Sequence, residues 1–149
     1  MQESVYIVTR HNPDMRDHMV EIMGVFKGES EAQKRRQEIT RHWIDKLADS
    51  SVRCLIDDTN FDKHCYHKFV IEVDDRNTLQ QKLRADGITT KIHYDRPLHE
   101  EPRYINTPGP DMLSAASSLA RRCLSLPIYP ELTDSEVEHI AERVLSHVA

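Results

Sequence analysis

From residue 50 onward, short β-forming runs alternate with helical runs, and Gly, Pro or Asp separates nearly every pair. Residues 52–56, "VRCLI", and 66–73, "YHKFVIEV", gather β-branched and aromatic residues around the polar turn "DDTNFDKH", and both read as strands. In "DDRNTLQQKLRADG", Asp75 or Asn77 caps a short helix whose Leu79 and Leu83 face inward and which Gly87 ends. "TTKIHY" at 89–94 reads as a further strand. Residues 95–111 hold Pro97, Pro102, Pro108, Gly109 and Pro110, so they form a long surface loop. A helix at 112–124 runs into the short strand "LSL". Thr133 and Glu136 then make a capping box for a last helix with Val137, Ile140, Val144 and Val148 on its inner face. Strands this few and short exclude a doubly wound sheet. The pattern predicts an α+β fold, a small and mainly antiparallel sheet covered by helices.

The front of the chain reads as helical. Residues 14–27 place Met15, Met19, Ile22, Met23 and Phe26 at helical spacing, with Gly28 as the stop. Residues 29–49 are rich in helix formers, with Ile39, Trp43, Ile44 and Leu47 along one face. The expectation is a helical hairpin over 10–49 preceding the α+β part at 50–149, all in one domain of 149 residues.

Charge and cysteines narrow the function classes. Twenty Lys and Arg against 25 Asp and Glu give a net charge of −5, and no basic stripe interleaved with aromatics stands out, which argues against nucleic acid. Three cysteines, Cys54, Cys65 and Cys123, form no disulfide framework, and a reducing, cytoplasmic setting is expected. No apolar run approaches a membrane span.

The chemistry-bearing residues gather in "GITTKIHYDRPLHEEPRY", residues 87–104, where His93 and Tyr94 close the strand and His99 follows in the loop. For a lone histidine, the ordinary reading is an interior imidazole bonded to backbone. Here several such residues lie together. A metal set from His64, Cys65 and His67 with His93 or His99 lacks the paired spacing of zinc sites. No nucleophile elbow is present, Cys123 reads as a buried inert thiol, and four glycines, at 24, 28, 87 and 109, make no phosphate loop.

The same stretch resembles the "GI…IHYP.PLH..PAY" signature of the DegT/DnrJ/EryC1/StrS sugar aminotransferases. "LARRCLSLPIYPELTDSEVEHIAERV" at 119–144 is similar to that family's closing pattern, and "CYHKFVIEVDDRNTLQQKL" at 65–83 resembles the segment between. Residues 10–27 resemble the family's "GyNyRmtdiqAAlGlaQL", matching at Asn12, Met15 and Asp17 but carrying Asp14 for its arginine. Asp95 also replaces a proline, and Glu100 with Glu101 replaces an apolar-polar pair.

The resemblance implies the C-terminal small domain of a fold-type I, pyridoxal-phosphate-dependent enzyme. Asn12 would approach the cofactor phosphate of a neighbouring subunit, and His93, Tyr94 and His99 would face a nucleotide-linked sugar. The Schiff-base lysine, the aspartate on the pyridinium nitrogen and the stacking aromatic belong to the family's large domain, and no lysine here stands in that lysine's context. No transamination is expected of this chain alone. Two readings stay open. One is a split enzyme completed by a large-domain chain, which would bring pyridoxal phosphate. The other is a non-catalytic remnant acting as an interaction or homodimerisation module.

Overall fold

The computed structural model describes residues 6–11, 20–26, 29–56, 61–62, 64–104 and 113–148. Its elements in order are β1 (Tyr6–His11), β2 (Val20–Phe26), α1 (Glu29–Leu47), β3 (Arg53–Cys54), β4 (Phe69–Glu72), α2 (Arg76–Ala85), α3 (Ser114–Arg122), β5 (Cys123–Leu126) and α4 (Asp134–Val148). The order β3-β4-β5 is antiparallel throughout, with Ile71 opposite both Cys54 and Leu124. The α+β class expected from the sequence is the class observed.

The helical hairpin is not. Residues 20–26 form β2, which pairs antiparallel with β1 in the register Tyr6↔Phe26 to His11↔Val20, with a shift between Val8 and Thr9. Only α1 remains of the predicted helix pair. The competing principle is β-propensity satisfied by a non-local partner: "YIVT" and "VEIMGVF" are rich in β-branched and aromatic residues, and Gly24 weakens a helix by about 1 kcal/mol. Residues 12–19 and 27–28, including Asn12, Met15 and Met19, lie outside the described residues.

The predicted strand at 89–94 is reduced to one bridge. Lys91 and Ser125 exchange both backbone bonds, at 3.0 and 2.7 Å, which adds residue 91 to the free edge of β5. The predicted helix at 112–124 ends at Arg122, and Cys123 already belongs to β5.

Local signals explain the element ends. Asp75 accepts the Thr78 N–H at 3.1 Å to start α2. Gly87, at φ +81°, turns the chain so that the Ile88 N–H reaches the Leu83 carbonyl at 2.8 Å. Before α4, the Glu136 N–H donates to Thr133 Oγ1 at 3.2 Å and the Thr133 N–H to Glu136 Oε2 at 2.8 Å, a reciprocal capping box. Buried Arg76 donates to the carbonyls of Ala120 and Cys123, which α3 leaves without helical partners at its end.

The core lies between the sheet and α1, α2 and α4, with Trp43, Phe69, Ile71, Leu83, Leu124 and Val144 among its most buried members. Trp43 donates its ring N–H to the Val137 carbonyl at 2.9 Å and meets Phe69 edge-on, with ring centres 5.0 Å apart. One residue thus ties α1 to α4 and to the sheet.

Candidate functional site

The bridge at Lys91 decides where the chemistry sits. Side chains alternate along an extended run, so Thr89, Lys91 and His93 share one side of it. There they line a cleft of about 300 Å³ together with His67 and Lys68 from the approach to β4 and Ser125 from β5. Residues 126–128, leaving the same strand, supply the remaining wall. Among the described residues, two lysines and two histidines face this space, and no carboxylate lines it. The cleft is a cationic surface with a hydroxyl at its base.

His93 is held by that hydroxyl. Its Nδ1 lies 2.8 Å from Oγ of Ser125, whose residue is buried. Burial depresses the His93 pKa, and the nearby charges of Lys68, Lys91 and His67 depress it further. The imidazole is therefore neutral at neutral pH, and it offers a hydrogen-bonding edge without adding charge to the lysines.

Tyr94 is 69% exposed, stands edge-on to the His93 ring, and carries Lys68 Nζ 5.8 Å from its ring centre. His99 is placed differently. It sits in a 3-10 turn at Leu98–Glu100, with Nε2 3.1 Å from Ser117 Oγ on α3, and it does not line the cleft. Ser117 in turn donates to Glu100, so His99 staples the loop to α3. Of the three residues read from the sequence, His93 and Tyr94 come together and His99 stands apart.

Lys68, Lys91 and Ser125 were not singled out from the sequence, and His67 entered only as a metal candidate whose spacing argued against it. The period-two spacing of Thr89, Lys91 and His93 carried a signal for Lys91. Lys68 and Ser125 gave none, because sheet pairing brings them there. Cys123 is buried, with Sγ 3.8 Å from the Tyr94 carbonyl. Burial raises the Cys54 thiol to about 11, far from reactive. Among the described residues, no three His, Cys, Asp or Glu side chains are placed to hold a metal ion.

Comparison with known proteins gives this geometry a lineage. The sequence pattern of the DegT/DnrJ/EryC1/StrS aminotransferase family matches residues 25–145. The chain belongs to that family. It is 33% identical over 107 residues to the erythromycin biosynthesis sensory transduction protein EryC1 of Saccharopolyspora erythraea, covering 71% of this chain and 29% of that protein. It is 29% identical over 111 residues to the dTDP-3-amino-3,6-dideoxy-alpha-D-galactopyranose transaminase of Aneurinibacillus thermoaerophilus, covering 74% and 30%. Among solved structures, the DegT DnrJ EryC1 StrS aminotransferase from Brucella abortus superimposes with a TM-score of 0.72 at 26% identity, covering 80% of this chain and 32% of that one. The chain spans about a third of the length of the proteins it matches.

Family members depend on pyridoxal phosphate, which needs a lysine amine to hold its aldehyde and an anion to keep its ring nitrogen protonated. The described residues do not fit that group. Lys68 and Lys91 reach the cleft, but no carboxylate lines it. Lys46 does have a carboxylate, Glu138 Oε1 at 2.6 Å, but this is a half-exposed ion pair that raises the lysine's pKa and keeps its amine charged. Asn12 lies outside the described residues.

Proposed function

We propose that this chain is the substrate-facing small-domain part of a nucleotide-sugar aminotransferase, without transaminase activity of its own. One observation carries the reading: His93 and Tyr94 stand beside a cleft that, among the described residues, is lined by Lys68, Lys91 and His67 and by no carboxylate. Paired phosphates suit such a surface, since ammonium groups attract them as point charges while a neutral imidazole and a phenol hydrogen-bond sugar hydroxyls. The acidic residues at 100 and 101 do not oppose it. Glu100 accepts from Ser117, Glu101 lies 3.9 Å from Arg96, and neither lines the cleft. His99 acts by holding the loop that follows Tyr94 against α3.

Pyridoxal phosphate would come with a large-domain chain, which this reading requires as partner. The test mixes the purified chain with pyridoxal phosphate, alone and with a large-domain aminotransferase chain, and follows the absorbance of an internal aldimine. Aldimine in the mixture only is the expected result. Aldimine from this chain alone overturns the assignment.

A second reading, a non-catalytic interaction module, is favoured by the exposure of Tyr94 at 69%, Leu98 at 68% and Tyr104 at 47%. The helical apolar face of residues 14–27, a candidate surface for homodimerisation, does not form: Ile22, Met23 and Phe26 belong to β2, while Met15 and Met19 lie outside the described residues. Absence of aldimine in both mixtures selects this module.

A further inference from the structure

The cationic arm of the cleft, His67 and Lys68, follows directly on a stretch that belongs to neither helix nor sheet. The carbonyls of Asp62, His64 and Cys65 have no ladder to join, and α1 supplies their donors. Arg36 Nε donates to the Cys65 carbonyl at 2.7 Å, Gln37 Nε2 to that of Asp62 at 3.1 Å, and Gln33 Nε2 to that of His64 at 3.4 Å. Positions 33, 36 and 37 share one helix face, so the three donors form a single latch.

The latch ends at Tyr66, where the chain reverses. Tyr66 is fully buried and sits at φ +47°, a left-handed conformation that a bulky residue holds only when its surroundings impose it. Its N–H donates to His64 Nδ1 at 2.9 Å and its hydroxyl to the Phe61 carbonyl at 3.0 Å. Phe61 packs 5.0 Å from the Tyr66 ring and lies under the Arg41 guanidinium at 4.6 Å. The next two residues, His67 and Lys68, are the ones that enter the cleft. Their direction is set at Tyr66, and Tyr66 is set by α1.

We infer that Arg36 is a positioning residue for anion binding: through the Cys65 carbonyl it fixes the reversal at Tyr66 and thereby aims His67 and Lys68 at a phosphate-bearing ligand. Its bond is the shortest of the latch and the only one with a charged donor, which makes it the strongest of the three. Arg36 lies outside the cleft and acts only through backbone. This rests on the cleft reading given above, and the experiment separates the two.

Inorganic pyrophosphate is titrated into the full chain at physiological salt, with amide NMR as the readout. The expected result is saturable binding to the unaltered chain, with shifts at His67, Lys68 and Lys91. Arg36→Met keeps the stem and the helix propensity but removes the donor, and should bind about tenfold more weakly, with displaced His67 and Lys68 amides before any ligand is added. Lys34→Met removes the same charge from an exposed position on α1 and should keep the original affinity, since salt screens exposed charges beyond about 8 Å. Arg36→Lys, which retains a charged donor, should recover part of the loss. If Arg36→Met does not fold, Gln37→Leu replaces it with the same expectation. Unchanged affinity in a destabilised Arg36→Met overturns the positioning role and leaves the cleft standing. No binding by the unaltered chain overturns the cleft itself.

Discussion

His93 shows how little a residue type says without its surroundings. The same imidazole on an exposed loop would titrate in its ordinary range; here burial and two lysines favour its neutral form. The folded chain therefore binds that proton less readily than the unfolded chain, so this site's contribution to stability rises with pH up to the ordinary value of 6.5 and falls as pH drops below it. A proton NMR titration should find His93 below 6.5, and saturating pyrophosphate should move it upward, because a bound anion favours the charged ring. A titration at or above 6.5 that ignores pyrophosphate would show that the cleft does not act on His93. At the same scale, Lys91→Glu places a carboxylate where none lines the cleft and should abolish pyrophosphate shifts at Lys68 without unfolding the chain, since residue 91 is exposed.

Between elements, α4 is set by both of its ends. At the first, the reciprocal bonds of Thr133 and Glu136 satisfy donors that the helix cannot, and Thr133→Ala should cost about 1 kcal/mol in a urea unfolding measurement. At the last, Asp86, the residue that closes α2, receives Arg143 through both oxygens at 2.8 and 3.1 Å and His147 at 2.7 Å. Arg143 first and His147 next hold its carboxyl down to about 2. A depressed carboxylate stabilises the fold above its unfolded value and loses that contribution as pH falls through its folded value. Asp86→Asn should therefore lower the melting temperature at neutral pH and flatten the acid slope between 3.8 and about 2. An unchanged slope would mean that the staple does not survive in solution. The capping box was legible in the sequence because its partners are three residues apart. The staple was not, since Asp86 and Arg143 meet across 57 positions.

Over the whole molecule, Trp43 is the residue on which the layers converge, fully buried between α4 and β4. Trp43→Ala should destabilise by about 3–5 kcal/mol, a large part of the roughly 5–15 kcal/mol by which single domains are stable. Chemical denaturation monitored by circular dichroism checks this, and a loss under about 1 kcal/mol would show that the site collapses without the ring. The same convergence places the cleft, because β5 carries Leu124 and Leu126 into the core while Ser125 between them meets His93.

The amino-acid order by itself determined what depends on near neighbours: α1, α2 and α4, the caps that start the last two, the stop at Gly87, the strand character around 69–72 and 123–126, and the adjacency of His93 and Tyr94. Family membership was legible for the same reason, since its motifs are short and contiguous. Tertiary structure alone decided the rest. It paired residues 20–26 with 6–11 where helical spacing had pointed elsewhere, because hydrogen bonds to a distant strand outweighed a local period interrupted by glycine. It also brought Lys68, Lys91 and Ser125 around one imidazole and moved His99 out of that company, because side chains far apart in sequence become neighbours only when a sheet aligns their backbones.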